Sequence, residues 1–136
     1  MTPEAVPMSD PSGGELKAKR LRILIVEDHA PTRMAMSRLI RQAGAEVLTA
    51  RDGEEGLGYL LTQRFDVLLT DLRMPKMDGF ELLQHCQTLP DTHRPKRVIA
   101  ISGEYEAGAL SGQPVQFLAK PFNLDVLLDM LSGKPN

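Results

Sequence analysis

Short apolar runs alternate with longer helical patterns along the chain from Leu21 onward. Arg22–Val26 is nearly continuously apolar, which is typical of a strand covered on both faces. Comparable runs follow at Val47–Ala50, Asp66–Thr70, Arg97–Ile101 and Val115–Leu118. Strands alternating with helices predict repeated βαβ units, and therefore an α/β domain built on a parallel sheet.

Helical periodicity fills the first two intervals between these strands. A helix starting near Pro31 and stopping at Gly44 has apolar residues at i, i+3, i+4 and i+7. These residues are Met36, Leu39, Ile40 and Ala43. A second helix is predicted over Glu54–Gln63, although Gly56 and Gly58 each weaken it by about 1 kcal/mol relative to alanine.

The later helices differ in the strength of their signals. A third helix is expected to begin at Gly79, and Asn123 is expected to cap a last helix whose leucines recur at helical spacing. Between strands four and five, three glycines and Pro114 leave room only for a short or irregular fourth helix near Tyr105–Leu110. The pattern thus predicts five strands and five helical segments.

A chain of 136 residues has the size of one domain. Residues 1–20 contain Pro3, Pro7, Pro11 and the pair Gly13-Gly14 with few large apolar groups, so we expect a flexible leader. We place the domain at residues 21–132 and a tail at residues 133–136.

Charge and composition narrow the function classes. The net charge is −2, the pI is about 5.9 and the basic residues are scattered along the chain, which gives no reason to expect nucleic acid or an anionic membrane as partner. The single cysteine, Cys86, cannot form an internal disulfide, and no apolar run could span a bilayer. A cytoplasmic setting is expected.

Polar residues follow four of the five predicted strands. Glu27 and Asp28 come after the first, Asp71 after the third, Ser102 after the fourth and Lys120 after the fifth. Right-handed crossovers bring the carboxyl ends of parallel strands to one edge, where α/β proteins bind ligands. The five side chains are therefore expected to converge.

Crowded carboxylates repel one another unless a cation lies between them, and a site made of oxygen ligands alone favours Mg²⁺. Lys120 and Ser102 would then face phosphoryl oxygens, with Asp71 as the nucleophile. Taken singly, each residue has an ordinary explanation as a helix cap, a turn residue or a solvated lysine. Their joint placement at strand ends favours a phosphoryl-transfer site.

Four motifs carry a family resemblance over about Leu21–Ser132. They are Ile23-Leu-Ile-Val-Glu-Asp28, Asp66-Val-Leu-Leu-Thr-Asp71-Leu-Arg-Met-Pro-Lys-Met-Asp-Gly79, Val98-Ile-Ala-Ile-Ser102 and Lys120-Pro-Phe122. Together and in this order they resemble the response-regulator receiver domain of two-component signalling, chemotaxis regulators included. The resemblance implies a flavodoxin-like doubly wound sheet with strand order 2-1-3-4-5.

The same resemblance implies roles for individual residues. Asp71 would be the phospho-acceptor, and Asp28 and Asp71 would hold Mg²⁺ together with the backbone carbonyl of Arg73. Glu27 would act mostly through a water molecule.

Further roles fall on the last two strands. Ser102 would be the switch hydroxyl, Phe117 the aromatic residue that follows it, and Lys120 the partner of a phosphoryl oxygen, with a cis Lys120-Pro121 bond. Arg73 and Glu104 occupy positions that tune dephosphorylation in the family, and we expect them to form an ion pair. Ser102 and Lys120 lie only 18 positions apart, which again indicates a curtailed fourth helix.

The predicted function is that of a phosphoprotein in a phosphorelay. A sensor histidine kinase or a histidine phosphotransfer protein would donate to Asp71, and the added charge would change affinity for an unknown downstream protein. We expect no direct contact with nucleic acid or membrane, and a homodimer is allowed. The chain would not be an enzyme beyond catalysing its own phosphorylation and dephosphorylation.

Three other classes of protein fit the sequence less well. A pseudo-receiver that is never phosphorylated would not need Asp28, Asp71, Ser102 and Lys120. A phosphatase or dehalogenase would need a second acid two positions after Asp71 and a cap domain. A flavin or nucleotide carrier would need a glycine-rich or hydroxyl-rich phosphate loop after the first strand.

His29, beside the acidic pair, is interpreted as a loop residue that faces water rather than as a metal ligand, and His85, Cys86 and His93 lack the spacing of zinc ligands.

Overall fold

The computed structural model describes residues 20–74, 76–102 and 115–132. Five strands and four helices alternate through this part of the chain. They are β1 (Arg22–Val26), α1 (Ala30–Gln42), β2 (Glu46–Ala50), α2 (Gly53–Thr62), β3 (Val67–Asp71), α3 (Gly79–Gln87), β4 (Arg97–Ser102), β5 (Gln116–Ala119) and α4 (Leu124–Leu131). Most of the predicted leader, the predicted helix near Tyr105–Leu110 and the tail at 133–136 lie outside the described residues.

The strands form one sheet in the order β2-β1-β3-β4-β5, and every neighbouring pair is parallel. This result confirms the predicted doubly wound α/β fold and its strand order. The register pairs Ile25 with Leu69 and Thr70 with Ala100, so β1, β3 and β4 end close together.

Alternate residues of the strands feed two separate apolar cores, one on each face of the sheet. One core lies under α1 and α4, where Ile23 and Ile25 pack with Ile40 and Leu127. The other lies under α2 and α3 and includes Leu24, Val26, Leu60, Leu68 and Leu82. Because both faces are covered, the central strands are apolar over most of their length, as the sequence pattern predicted.

Each described helix begins at a polar cap, and these caps explain the observed boundaries. Asn123 caps α4 by accepting a hydrogen bond from the Asp125 backbone N–H, as predicted. Asp52 and Asp78 do the same for α2 and α3. His29 is exposed as expected, but it also caps α1 by accepting from the Thr32 N–H, a role that the sequence prediction missed.

Glycine allows α3 to begin directly against β3. The Gly79 N–H donates to the Leu72 carbonyl, and a Cβ built on Gly79 would lie 2.3 Å from the Asp71 carbonyl oxygen. No other residue fits there without a shift of backbone, which places the start of α3 beside the end of β3.

Arg97 at the start of β4 joins the sheet to α4. Its guanidinium donates to the carbonyls of Met130 and Leu131 at the C-terminal end of α4, and to Gln116 Oε1 on β5. Positive charge is favourable at a helix C-terminus. Partial burial lowers the pKa of Arg97.

Within the described ranges, none of the helices is long and apolar enough to cross a membrane.

Candidate functional site

The carboxyl ends of four strands bring the predicted site residues to one edge of the sheet. Glu27 and Asp28 follow β1, Asp71 is the last residue of β3, and Lys120 follows β5. Ser102 is the last residue of β4 and pairs with Ala119. The side chain of Ser102 and all of Glu104 lie outside what the structure describes.

Three carboxylates form a compact acidic pocket. One oxygen each from Glu27, Asp28 and Asp71 lie within 4.8 Å of one another. Glu27 and Asp71 are each 2% exposed, whereas Asp28 is exposed at the mouth. The pocket therefore holds two buried carboxylates and one that solvent reaches.

Glu27 is only partly satisfied by the protein. Its Oε2 accepts from the His29 backbone N–H at 3.0 Å, but its buried Oε1 has no hydrogen-bond partner among the described residues. Burial raises the pKa of Glu27 to about 7; the His29 hydrogen bond and Lys120 oppose this, and the charges of Asp71 and Asp28 add to it. An unpartnered oxygen in a cluster of carboxylates fits a cation with oxygen ligands.

Lys120 neutralises the deepest carboxylate. Its Nζ donates to Asp71 Oδ2 at 2.8 Å. Partial burial lowers the pKa of Lys120, but the hydrogen bond and charge of Asp71, with Glu27 and Asp28 behind it, raise it above its ordinary value. The ammonium is consequently charged at neutral pH. The Lys120-Pro121 bond is cis.

Asp71 is held on its other side by the backbone. Its Oδ1 accepts from the Arg73 N–H at 3.2 Å, and the Thr70 hydroxyl donates to the Asp71 carbonyl at 2.8 Å. The Arg73 guanidinium lies 5.9 Å from the centre of the Phe80 ring. The expected metal contact of the Arg73 carbonyl and the expected Arg73–Glu104 ion pair stay predictions, the second because Glu104 is not described.

Arg33 contacts the loop that carries the acidic pair, whereas Phe117 lies against the core. Phe117 is half-buried in β5 and packs against the core under α2 and α3. Arg33 on α1 donates to the Glu27 carbonyl at 2.9 Å and so fixes the loop that carries both acidic residues. The contribution of Arg33 was missed because nothing in the sequence marks a bond between a helix arginine and a carbonyl six residues earlier.

Comparison with known proteins agrees with this fold and site. Residues 23–132 match the response regulator receiver domain family. The chain is 33% identical over 114 residues to a probable chemotaxis protein CheY of Rhizobium etli, covering 79% of this chain and 87% of that protein. It is 36% identical over 118 residues to the sensor protein EvgS of Escherichia coli, covering 84% of this chain and 10% of that protein.

A solved structure shows the same architecture. The response regulator protein TrrA of Thermotoga maritima, in complex with Mg²⁺-BeF, superposes with a TM-score of 0.73 at 25% identity, covering 83% of this chain and 97% of that one. The chain belongs to the response regulator receiver domain family, whose members serve two-component systems. It spans only 10 to 17% of the length of several curated relatives.

Proposed function

We propose that this chain is the phospho-acceptor of a two-component phosphorelay, with Asp71 as the acceptor. An Asp71 carboxylate oxygen attacks the phosphorus of a phosphohistidine on a partner protein. The bond from oxygen to phosphorus forms as the bond from phosphorus to the imidazole nitrogen breaks, and the released imidazole takes up a proton. Water later hydrolyses the acyl phosphate and restores the carboxylate.

The observation that carries this proposal is the environment of Asp71. A buried carboxylate at a strand end is paired with a lysine at 2.8 Å and lies beside two further carboxylates. Lys120 is positioned to pair first with the Asp71 carboxylate and then with an oxygen of the transferred phosphoryl group. Pairing by an ammonium group is a common means of stabilising a transferring phosphoryl group.

Glu27, Asp28 and Asp71 are the residues that would hold Mg²⁺, since they offer oxygen ligands only and one of these is unpartnered. When bound, the ion supplies positive charge to the phosphoryl oxygens. TrrA of Thermotoga maritima, which is related in fold, was crystallised with Mg²⁺-BeF. The carbonyl of Arg73 is proposed as a further ligand.

The proposed partners are a sensor histidine kinase or a histidine phosphotransfer protein as donor, and a downstream protein that recognises the changed surface. Matches to sensor proteins support a histidine kinase as the phosphoryl donor. Ser102 and Phe117 are proposed to relay the change, and the chain acts in the cytoplasm. It catalyses only its own phosphorylation and dephosphorylation, without an external substrate.

The test uses the full chain with acetyl phosphate and Mg²⁺, followed by intact mass measurement. Wild type should gain the mass of one phosphoryl group, and chelation of Mg²⁺ should prevent the gain. Asp71→Asn should gain none, whereas Asp129→Asn, the same change on the exposed face of α4, should behave as wild type.

Beryllofluoride with Mg²⁺ gives an independent readout, because spectral changes should centre on residues 71, 102 and 120 in wild type only. Labelling of Asp71→Asn at the wild-type level would reject Asp71 as the acceptor. A wild type that neither gains mass nor responds to beryllofluoride would instead be a pseudo-receiver.

A further inference from the structure

A second polar groove lies between α1 and the edge strand β2, apart from the acidic pocket. It encloses about 430 Å³. Six of the residues that line it are Arg33, Met34, Ser37, Arg38, Arg41 and Thr49. None of these residues is one of the three carboxylates of the acidic pocket.

All the charged side chains that line this groove are positive. Helix α1 carries three arginines and no aspartate or glutamate. Arg38 has no hydrogen-bond or ion-pair partner within the described ranges, and Arg33 and Arg41 each donate to backbone carbonyls rather than to a carboxylate. Three guanidinium groups, none paired with a carboxylate of the described residues, therefore line one groove in a chain whose net charge is −2.

The dimensions of the groove indicate what kind of anion it fits. Arg33 and Arg41 are eight residues apart, which is about 12 Å along a helix. One phosphate or one carboxylate cannot reach both. An extended peptide advances about 13 Å over four residues, so acidic residues at positions i, i+2 and i+4 span the row from Arg33 to Arg41.

Two further observations favour a peptide over a nucleic acid. Met34, beside the arginines, is 62% exposed and offers an apolar contact that an aliphatic peptide side chain matches. The overall pI of about 5.9 gives the chain no general attraction for a polyanion such as nucleic acid.

We propose that this groove binds an extended acidic segment of a partner protein. Carboxylates at alternate positions of the segment pair with Arg33, Arg38 and Arg41. This inference goes beyond the proposed phosphorylation of Asp71 and does not depend on it.

The test is titration of the isotope-labelled full chain at low salt with a synthetic peptide of alternating glutamate and valine. Amide shifts should concentrate at residues 33–42 and at Thr49. Arg38→Glu and Arg41→Glu should each weaken binding about tenfold, since each turns an attraction into a repulsion. Arg33 is left unchanged because it also holds the Glu27 carbonyl.

Two controls separate the groove from general electrostatics. Arg64→Glu makes the same charge change at an exposed arginine outside the groove and should weaken binding less than twofold. Ser37→Ala should leave binding unchanged, because the Ser37 hydroxyl, which has no partner among the described residues, is buried beneath the groove and out of reach of the peptide.

The proposal is overturned if Arg64→Glu weakens binding as much as Arg38→Glu, or if the shifts spread over all basic residues. It is also overturned if a short oligothymidylate, or vesicles containing phosphatidylserine, bind the groove more tightly than the peptide. Arg38→Glu should still take a phosphoryl group from acetyl phosphate, so failure of this proposal is distinct from failure of the proposed function.

Discussion

The two buried carboxylates of the acidic pocket differ in their hydrogen-bond partners. Asp71 has Lys120 on one oxygen and the Arg73 N–H on the other. Glu27 has a single backbone donor, and its Oε1 has no partner among the described residues. A buried charge without a partner costs free energy. Both carboxylate oxygens of Asp71 have hydrogen-bond donors, whereas within the described residues only one oxygen of Glu27 has a donor.

Cys86 on α3 is a buried thiol whose reactivity follows from its surroundings. It is 4% exposed, and burial raises its pKa to about 11 despite the opposing charge of Arg94. At pH 8 only about one thiol in a thousand is then the reactive thiolate, so native protein should react with iodoacetamide far more slowly than a free thiol. Mass measurement during alkylation checks this.

The same protein in strong urea should be alkylated at the rate of an ordinary thiol, and Cys86→Ser should take no label in either state. Fast native labelling would show that the core under α2 and α3 opens readily.

Residue roles at strand ends could be predicted because a parallel sheet brings such ends together. Asp71 and Lys120 are 49 positions apart and still meet, since β3 and β5 flank β4. The cap formed by His29 could not be predicted in the same way, because histidine is not among the preferred caps.

A side chain has no room at Gly79 of α3 but has open space at Gly58 of α2. Alanine substitutions at these two positions therefore form a matched pair. At Gly79 a Cβ would lie 2.3 Å from the Asp71 carbonyl and 2.7 Å from the Leu72 Cα, so Gly79→Ala should destabilise the fold by about 1–3 kcal/mol. At Gly58 a Cβ meets nothing within 4 Å, so Gly58→Ala should stabilise by about 0.5–1 kcal/mol.

Urea denaturation of both variants measures the two changes in the free energy of unfolding. Equal stability of Gly79→Ala and wild type would mean that α3 can move away from β3 at little cost. Gly58→Ala is the control, because it tests helix propensity in the absence of any clash.

Element boundaries were predicted to within about one residue. The third strand was expected at Asp66–Thr70 and is Val67–Asp71, and the fifth was expected at Val115–Leu118 and is Gln116–Ala119. Asp66 instead pairs at the strand entrance, where its carboxylate accepts from the Arg22 N–H. Partners more than forty residues away decide such details, and the apolar pattern alone does not contain them.

At the scale of the whole molecule, burial differs sharply between the centre and the edges of the sheet. All five residues of β3 are buried, whereas β2 has one exposed and two partly buried residues and β5 has two exposed residues. Amide hydrogen exchange should therefore be more than about tenfold slower in β1, β3 and β4 than in β2 and β5. Mass spectrometry of peptic fragments measures this.

Edge strands protected as strongly as β3 would contradict that expectation and would indicate that the whole sheet opens only by global unfolding. Amides of Arg22–Val26 serve as the internal reference, because they are flanked on both sides by paired strands.

The overall fold followed from the apolar pattern and the family resemblance, but the distribution of charge did not. Basic residues that look scattered along the sequence meet on one face of α1, because Arg33, Ser37 and Arg41 recur at helical spacing. A net charge of −2 conceals this local excess, which only the packing of α1 against β2 reveals.

The ion pair between Lys120 and Asp71 reaches over the end of β4, from the third strand to the outermost one. Asp71 is thus already supplied with an internal counterion. An anionic group attached to this carboxylate must share the Lys120 ammonium with it or replace it as the partner of that ammonium. Modification of Asp71 is therefore an exchange of counterions. Because Lys120 follows the edge strand β5, that exchange involves the edge of the sheet directly.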